Sequence, residues 1–509
     1  MMGALGHWLI APVLLPAVVG ALIILWMRGD LLLQRVFSVA ATAAQVVLAV
    51  WLLAQAAGGE IFVYRLGNWQ VPFGIALVLD RLAGTMLLLT AVLALVVQLY
   101  AIGSGWDRRG AHFHALFQFQ LMGLTGAFLT GDAFNLFVFF EVLLIASYGL
   151  LAHGGGEMRL RASVQYVVVN LAGSALFLAA LGTIYASMGT LNMVDLADRM
   201  TRLPPDQTAL IRVGAVLLML VFAIKAALVP LHFWLPATYA NAPGPVAALF
   251  AIMTKVGLYG IIRFYTLVFP AGEAMGTLVA DLLLPAALLT LVLGQLGVMG
   301  SRDLGRMAAW GALASVGTLT LAVAQFTEAG ISAGLWYLLH STLATAALFL
   351  VADLVAGRRG SLRLAAMSRG AQAGLVGAFY MAAAVGVAGL PPLSGFLGKL
   401  AVLQATRGTD WTLAIWAAIL VTSLMAIIGL ARAGTIVFWT ASDAAAATAP
   451  EPGPAPWLAL ACTGALIAGL VALTVAAGPV MRFTDATAAQ LHDLGPYVDA
   501  VLVRQEGAR

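Results

Sequence analysis

The sequence predicts an all-α polytopic membrane protein of about 14 transmembrane helices, on three observations. Of its 509 residues, 62% are hydrophobic and only 9% are charged, and the mean hydropathy is +0.99. A soluble domain carries about a quarter charged residues. Apolar runs longer than about 18 residues recur from end to end, each enough to span a bilayer as a helix. The runs are continuous rather than alternating, which excludes a transmembrane β-barrel.

The elements follow in order. The first run, near 8–27, has no basic residue before it and Arg28 directly after it. A cleaved signal peptide has the reverse order, so this run reads as a retained span with its N-terminus outside. Further runs lie near 33–55, 75–102, 112–130, 132–152, 162–188, 208–235, 244–270, 276–299, 303–325, 330–356, 373–406, 411–438 and 456–478. The longest polar stretch is 188–207, the segment 440–456 reads as a flexible loop, and the tail after 479 is short and mildly amphipathic. No stretch accommodates a soluble domain. Arginines gather after odd-numbered spans (Arg28, Arg108, Arg109, Arg302, Arg306, Arg358, Arg359, Arg363 and Arg369 among them), while Arg504 and Arg509 lie in the tail. The positive-inside rule then puts both termini outside. The single cysteine, Cys462, excludes an internal disulfide and a cysteine-ligated cluster or zinc site within the chain.

Two runs are too long and interrupted. "KAALVPLHFWLP" (225–236) places Pro230 within one, and "GLPPLSGFLGKL" (389–400) places Pro391 and Pro392 within another. Matching breaks in two halves of a chain point to an internal repeat with a transport path between them. Two proline kinks without function are the alternative.

The chain has only three lysines, Lys225, Lys255 and Lys399, and all three lie inside apolar runs. Glu141 lies mid-run in "AFNLFVFFEVLLIASYGLL". Four such charges cost on the order of 10 kcal/mol on the insertion scale. Arginine stays charged in any protein environment, whereas lysine can lose its proton. Buried Lys, Glu and His together suit a proton relay. His232, just after the first break, and His340, mid-run in "GLWYLLHSTLATAALFL", extend the set. A structural ion pair or a hydrogen-bonded core histidine would account for any one of them alone. His112 and His114 have metal-like spacing, but with no carboxylate close by in sequence they read as interfacial packing. "GQLGVMG" (294–300) reads as close helix packing, not a phosphate loop. No cofactor, metal or nucleic-acid motif is present.

The motifs "KAALVPLHFWLP", "NAPGPVAALFAIMTK" and "LPPLSGFLGK" resemble the antiporter-like membrane subunits shared by respiratory complex I, membrane hydrogenases and the Mrp (Pha, Mnh) cation/proton antiporters. "TGDAFNLFVFFEVLLIASYGLLAHGG" (130–155) resembles the D-type member of the Mrp antiporters, and the modest length after the last span points the same way. The resemblance implies an N-terminal three-helix segment (1–110), two inverted five-helix repeats (111–270 and 271–440) with helices 7 and 12 broken, and a last span with a short tail (441–509). It implies a relay of Glu141, Lys225, Lys255, His340 and Lys399, with Lys225 paired to Glu141 and Lys399 near the outward exit. Several relatives carry a lysine soon after the histidine. Here "STLATAAL" follows, so the link must rest on His340, Ser341, Thr345 and water.

Three functions compete. The first is a proton-conducting subunit of a monovalent cation (Na+)/H+ antiporter in a bacterial plasma membrane, partnered by other membrane subunits. The second is a pumping subunit of a redox complex. The third is a permease acting alone. None of the three makes this chain an enzyme.

Overall fold

The structure is a computed structural model and describes residues 6–204, 208–270, 277–366, 372–440 and 456–502. Aspartates set several helix starts. Asp30, Asp80, Asp132 and Asp303 each accept a backbone N–H two or three residues ahead, satisfying donors that the first turn leaves free. They open α2 (Leu31–Ala56), α3 (Arg81–Gly103), α5 (Ala133–Ala152) and α13 (Leu304–Val323). The cap at Asp80 corrects the expected third span, which begins at Arg81 rather than near 75. The residues before it form strand β2 (Ala76–Leu79), paired antiparallel with β1 (Phe62–Arg65). Among the described residues, this small two-stranded sheet is the departure from an all-helical fold.

Before α2 lies α1 (Ala11–Trp26), which contains Pro16. Proline has no N–H, so the Pro12 carbonyl loses its helical donor. Gln45 Nε2 on α2 (2.7 Å) and Thr125 Oγ1 on α4 (Phe113–Leu129; 2.8 Å) donate to it instead. One proline thus ties three helices together.

The first half continues through α6 (Glu157–Met188), α7 (Met193–Met200), α8 (Ala209–Ala226), α9 (Trp234–Asn241), α10 (Gly244–Leu249) and α11 (Met253–Leu267). The expected polar stretch 188–207 therefore holds a short helix. The second half runs through α12 (Leu278–Gly300), α13, α14 (Glu328–Arg359), α15 (Ala373–Ala388), α16 (Ser394–Ala405) and α17 (Thr412–Gly434). Last come α18 (Trp457–Val475), α19 (Ala477–His492) and α20 (Leu494–Val501), so the tail is helical. The expected loop 440–456 lies almost wholly outside the described residues, as do Arg369, Arg504 and Arg509.

Among the described residues, 11 helices are long and apolar enough to cross a membrane, and the chain is a multi-pass membrane protein. α1 and α15 are apolar but shorter. The apolar window of Gly244–Leu267 is buried throughout, and those of α13 and α14 nearly so. These helices form the centre. α2, α17 and α18 are two-thirds uncovered and form the rim. Gly257 lets the centre close up: a β-carbon there would lie 2.7 Å from Ala226 N and 2.8 Å from Phe222 O on α8.

Where α3 begins, it is tied to the centre by a buried ion pair. Arg263 on α11 grips Asp80 through two bonds, of 2.6 and 2.9 Å, and both side chains are almost fully buried. The rings of Tyr259 and of Tyr497 on α20 flank the guanidinium at 5.5 and 5.4 Å. A fork matched to a carboxylate is the geometry in which a buried pair offsets its desolvation. Asp80→Asn leaves Arg263 buried and unpaired, at an expected cost of about 3–5 kcal/mol. Chemical unfolding of the purified variant measures it. The Asp80→Asn, Arg263→Met double variant recovers most of that loss.

Candidate functional site

Where helix cannot continue, the structure exposes carbonyls and gives them to side chains. α8 stops at Ala226, Ala227 takes a left-handed conformation, and helix resumes at Trp234 after Pro230. Trp234 Nε1 donates to Ile224 O (3.0 Å), and Val229 N donates to Thr290 Oγ1 (2.9 Å). α15 likewise stops at Ala388, and α16 begins at Ser394 after Pro391 and Pro392.

Lys225 sits one residue before the end of α8 and is buried. Its Nζ donates to Asn170 Oδ1 on α6 at 3.2 Å and lies 5.9 Å from the Phe140 ring centre. Among the described residues, no carboxylate is within salt-bridge distance of it. Glu141, half-buried on α5, instead accepts a hydrogen bond from Ser174 Oγ on α6. Glu141 and Lys225 thus share no hydrogen bond, each having its own partner on α6, while the Glu141 charge still acts on Lys225. Those partners, Asn170 and Ser174, are four residues apart and share one helix face. Asn170 Nδ2 bonds Tyr166 O, and Tyr166 OH meets Ser147 Oγ at 3.1 Å, extending the polar stripe. Reading the sequence for charges misses this stripe. Its signal is two polar residues at helical spacing in the apolar run "VVVNLAGSALF".

Lys255 stands three residues into α11, fully buried, and its Nζ has no hydrogen-bond partner among the described residues. A buried ammonium without a partner is expensive, and lysine, unlike arginine, has a neutral form available. His340 on α14 is buried, with Nδ1 at 2.9 Å from Ser394 Oγ. Gly395 makes room for the ring, since a β-carbon there would lie 2.7 Å from Nε2. Lys399 on α16 donates to Ala388 O, a carbonyl freed by the break, at 2.7 Å, and to Ser423 Oγ at 2.8 Å.

His340, Ser341, Thr345 and Lys399 all line one small internal cavity with room for about one water molecule. Gln295, Ser315, Thr318 and Tyr337 complete its polar wall, and no motif in the sequence singles them out. The site residues therefore form two groups, Glu141 with Lys225 and His340 with Lys399, and Lys255 belongs to neither by direct contact. His232 lies apart, its ring 6.1 Å from that of Trp310 and its Nδ1 without a partner among the described residues.

The profile of the family described as NADH:quinone oxidoreductase/Mrp antiporter, TM, matches residues 130–426. The chain belongs to this family. It is 39% identical to the D component of the probable K(+)/H(+) antiporter of Rhizobium meliloti (strain 1021), over 96% of each chain. It is 37% identical to the D component of the Na(+)/H(+) antiporter of Bacillus subtilis (strain 168), over 86% of this chain and 87% of that one. Among solved structures, it superposes on a chain of the Mrp complex from Dietzia sp. DQ12-45-1b with a TM-score of 0.87 at 28% identity, covering 98% and 99% of the two chains. A chain of respiratory complex I from Thermus thermophilus gives a TM-score of 0.76 at 26% identity, covering 95% and 99%.

At the start of α4, His114 corrects the sequence reading. His112 is exposed at the start of α4, but His114 is fully buried and does have a carboxylate. Its Nε2 lies 3.2 Å from Asp107, which also takes two bonds from Arg35, at 2.6 and 2.9 Å. Burial acts to raise the Asp107 pKa, but the His114 and Arg35 bonds and the arginine charge outweigh it and hold the carboxyl below its ordinary range. Next to Asp107, Trp106 accepts from His153 Nε2 (2.8 Å) at its carbonyl and donates its indole N–H to Asp353 on α14 (3.0 Å). This staple joins α2, α3, α4, α5 and α14.

Burial lowers the His153 pKa, and the bond to Trp106 only partly opposes it. A histidine kept neutral by folding contributes stability that is complete above about pH 6.5 and is lost as pH falls toward its folded value. The midpoint of thermal unfolding is therefore expected to fall between about pH 7 and 5. His153→Gln flattens that part of the profile.

Proposed function

We propose that this chain is the proton-conducting subunit, of the D type, of a multi-subunit monovalent cation/proton antiporter. Protons moving along buried Glu, Lys and His side chains drive cation efflux, and the chain is a transporter component rather than an enzyme. One observation carries the reading: a member of this family keeps its only three lysines buried in its apolar core. The relay runs from Glu141 through Ser174 and Asn170 to Lys225, then to Lys255, His340 and Lys399. Ser341 and Thr345 support the passage to Lys399, and His232 helps to hydrate the break at Pro230.

In this reading α8 with α9, and α15 with α16 around Pro391 and Pro392, are the broken seventh and twelfth of 14 crossings. The crossings group as 1–110, two inverted repeats at 111–270 and 271–440, and 441–509. Both termini face outside in a bacterial plasma membrane, and other membrane subunits complete the complex. The antiporter names of the relatives favour the antiporter over a redox-driven pump. Those names are of components of larger assemblies, which disfavours a permease acting alone.

Everted membrane vesicles, with a fluorescent pH probe and added Na+ or K+, test this. Glu141→Ala and Lys225→Ala each abolish cation-dependent proton movement while the protein still inserts. Asn170→Leu, which removes the acceptor of Lys225, lowers the rate at least ~tenfold, and Asn170→Gln recovers part of it. Normal exchange by Lys225→Ala would sink the relay.

Lys399→Arg keeps the charge but cannot release it. It is expected to transport poorly, as is His340→Ala, which removes the titratable step between Lys255 and Lys399. A wild-type rate and pH profile in His340→Ala would remove the histidine from the path.

A further inference from the structure

We propose that a cavity at the arginine-rich face binds the phosphate headgroup of an anionic phospholipid, whose acyl chain lies along α12. The cavity measures ≈ 1200 Å³ and opens where α12 ends and α13 begins. Arg302, Arg306 and Arg363 line it, against a single carboxylate, Asp303.

The site is held in place by backbone. Leu304 N bonds Leu362 O and Leu364 N bonds Arg302 O, each at 2.9 Å, so the backbones of Asp303 and Arg363 lie opposite each other in an antiparallel β-bridge. These bonds fix Arg363 beside Arg302 although they lie on separate segments. Asp303 is occupied as the cap of α13, accepting from Arg306 N. None of the three guanidinium groups has a hydrogen bond or ion pair among the described residues. A guanidinium matches a phosphate through two parallel bonds, and basic pockets between membrane helices select anionic headgroups.

The apolar part of the ligand has its own track. Leu289, Leu293 and Leu296 are 53%, 36% and 51% exposed, and they share one face of α12 with Gly300, which lines the cavity. From Leu289 to Gly300 the helix rises about 16 Å. That is about half of a 30 Å hydrocarbon core, the depth of one leaflet. A soluble phosphate would use the arginines and leave this track bare, so the combination points to a lipid.

The test titrates detergent-solubilised protein, with the subunits that accompany it, with short-chain phosphatidylglycerol, short-chain phosphatidylcholine and inorganic phosphate. Intact mass spectrometry counts the bound ligand. Phosphatidylglycerol is expected to saturate one site, and the other two to bind far more weakly. R302Q/R306Q/R363Q weakens phosphatidylglycerol on the order of 100-fold, at about fivefold per lost charge. Should the triple variant unfold, the three single variants each read that fivefold loss. Unchanged phosphatidylglycerol affinity in the variants, or inorganic phosphate bound as tightly as phosphatidylglycerol by the unmodified protein, overturns the proposal.

Discussion

Hydrocarbon offers a buried ammonium no solvent, so the protein itself must solvate each lysine. Much of the core is arranged around that constraint. A backbone that stays helical has no carbonyl to spare, which is why Lys399 sits beside the point where α15 stops and takes the Ala388 oxygen. Lys225 solves the same problem with a side chain, borrowing the amide oxygen of Asn170 from a neighbouring helix. Lys255 has neither arrangement within the described residues and lies on the most enclosed helix. Three lysines thus sit in three solvation regimes.

The N-terminal helices solve a different problem. Their polar groups are bonded to each other rather than lined up toward the lysines. Gln98 of α3 and Gln118 of α4 both donate to Ser38 Oγ on α2, and Gln118 also reaches Thr42. Together with the Pro12 carbonyl and the Trp106 staple, this makes the first helices a clamp on the inner ones. Buried polar networks with several members resist sliding, because any shift breaks more than one bond at once.

Composition and apolar length make the membrane class legible, and the two proline clusters mark where the helices stop. Lys225, Lys255 and Lys399 stand out because lysine is absent from every loop. The partners of those charges are not legible in the same way. The resemblance pairs Glu141 with Lys225, but that each finds its hydrogen-bond partner on α6 is reported by no periodicity in α5 or α8. Asn170 and Ser174 are readable only to a search for polar stripes. His114 escapes a sequence reading because Asp107 lies in a loop seven residues upstream, on the far side of a turn whose shape sequence does not specify. The pairing of β1 and β2 is hidden because strands of four residues carry too little period to tell strand from helix.

The ion pair of Asp80 and Arg263 has a consequence for biosynthesis. Its partners are separated by 183 residues, so translation at about 5–20 residues per second presents Asp80 roughly 10–40 s before Arg263. During that interval Asp80 has only the Ala83 N–H within its own helix. Tyr497, which flanks the finished pair, emerges later still. The pair therefore closes only after α11 has been inserted beside α3, and its covering is complete only when α20 has folded back onto it.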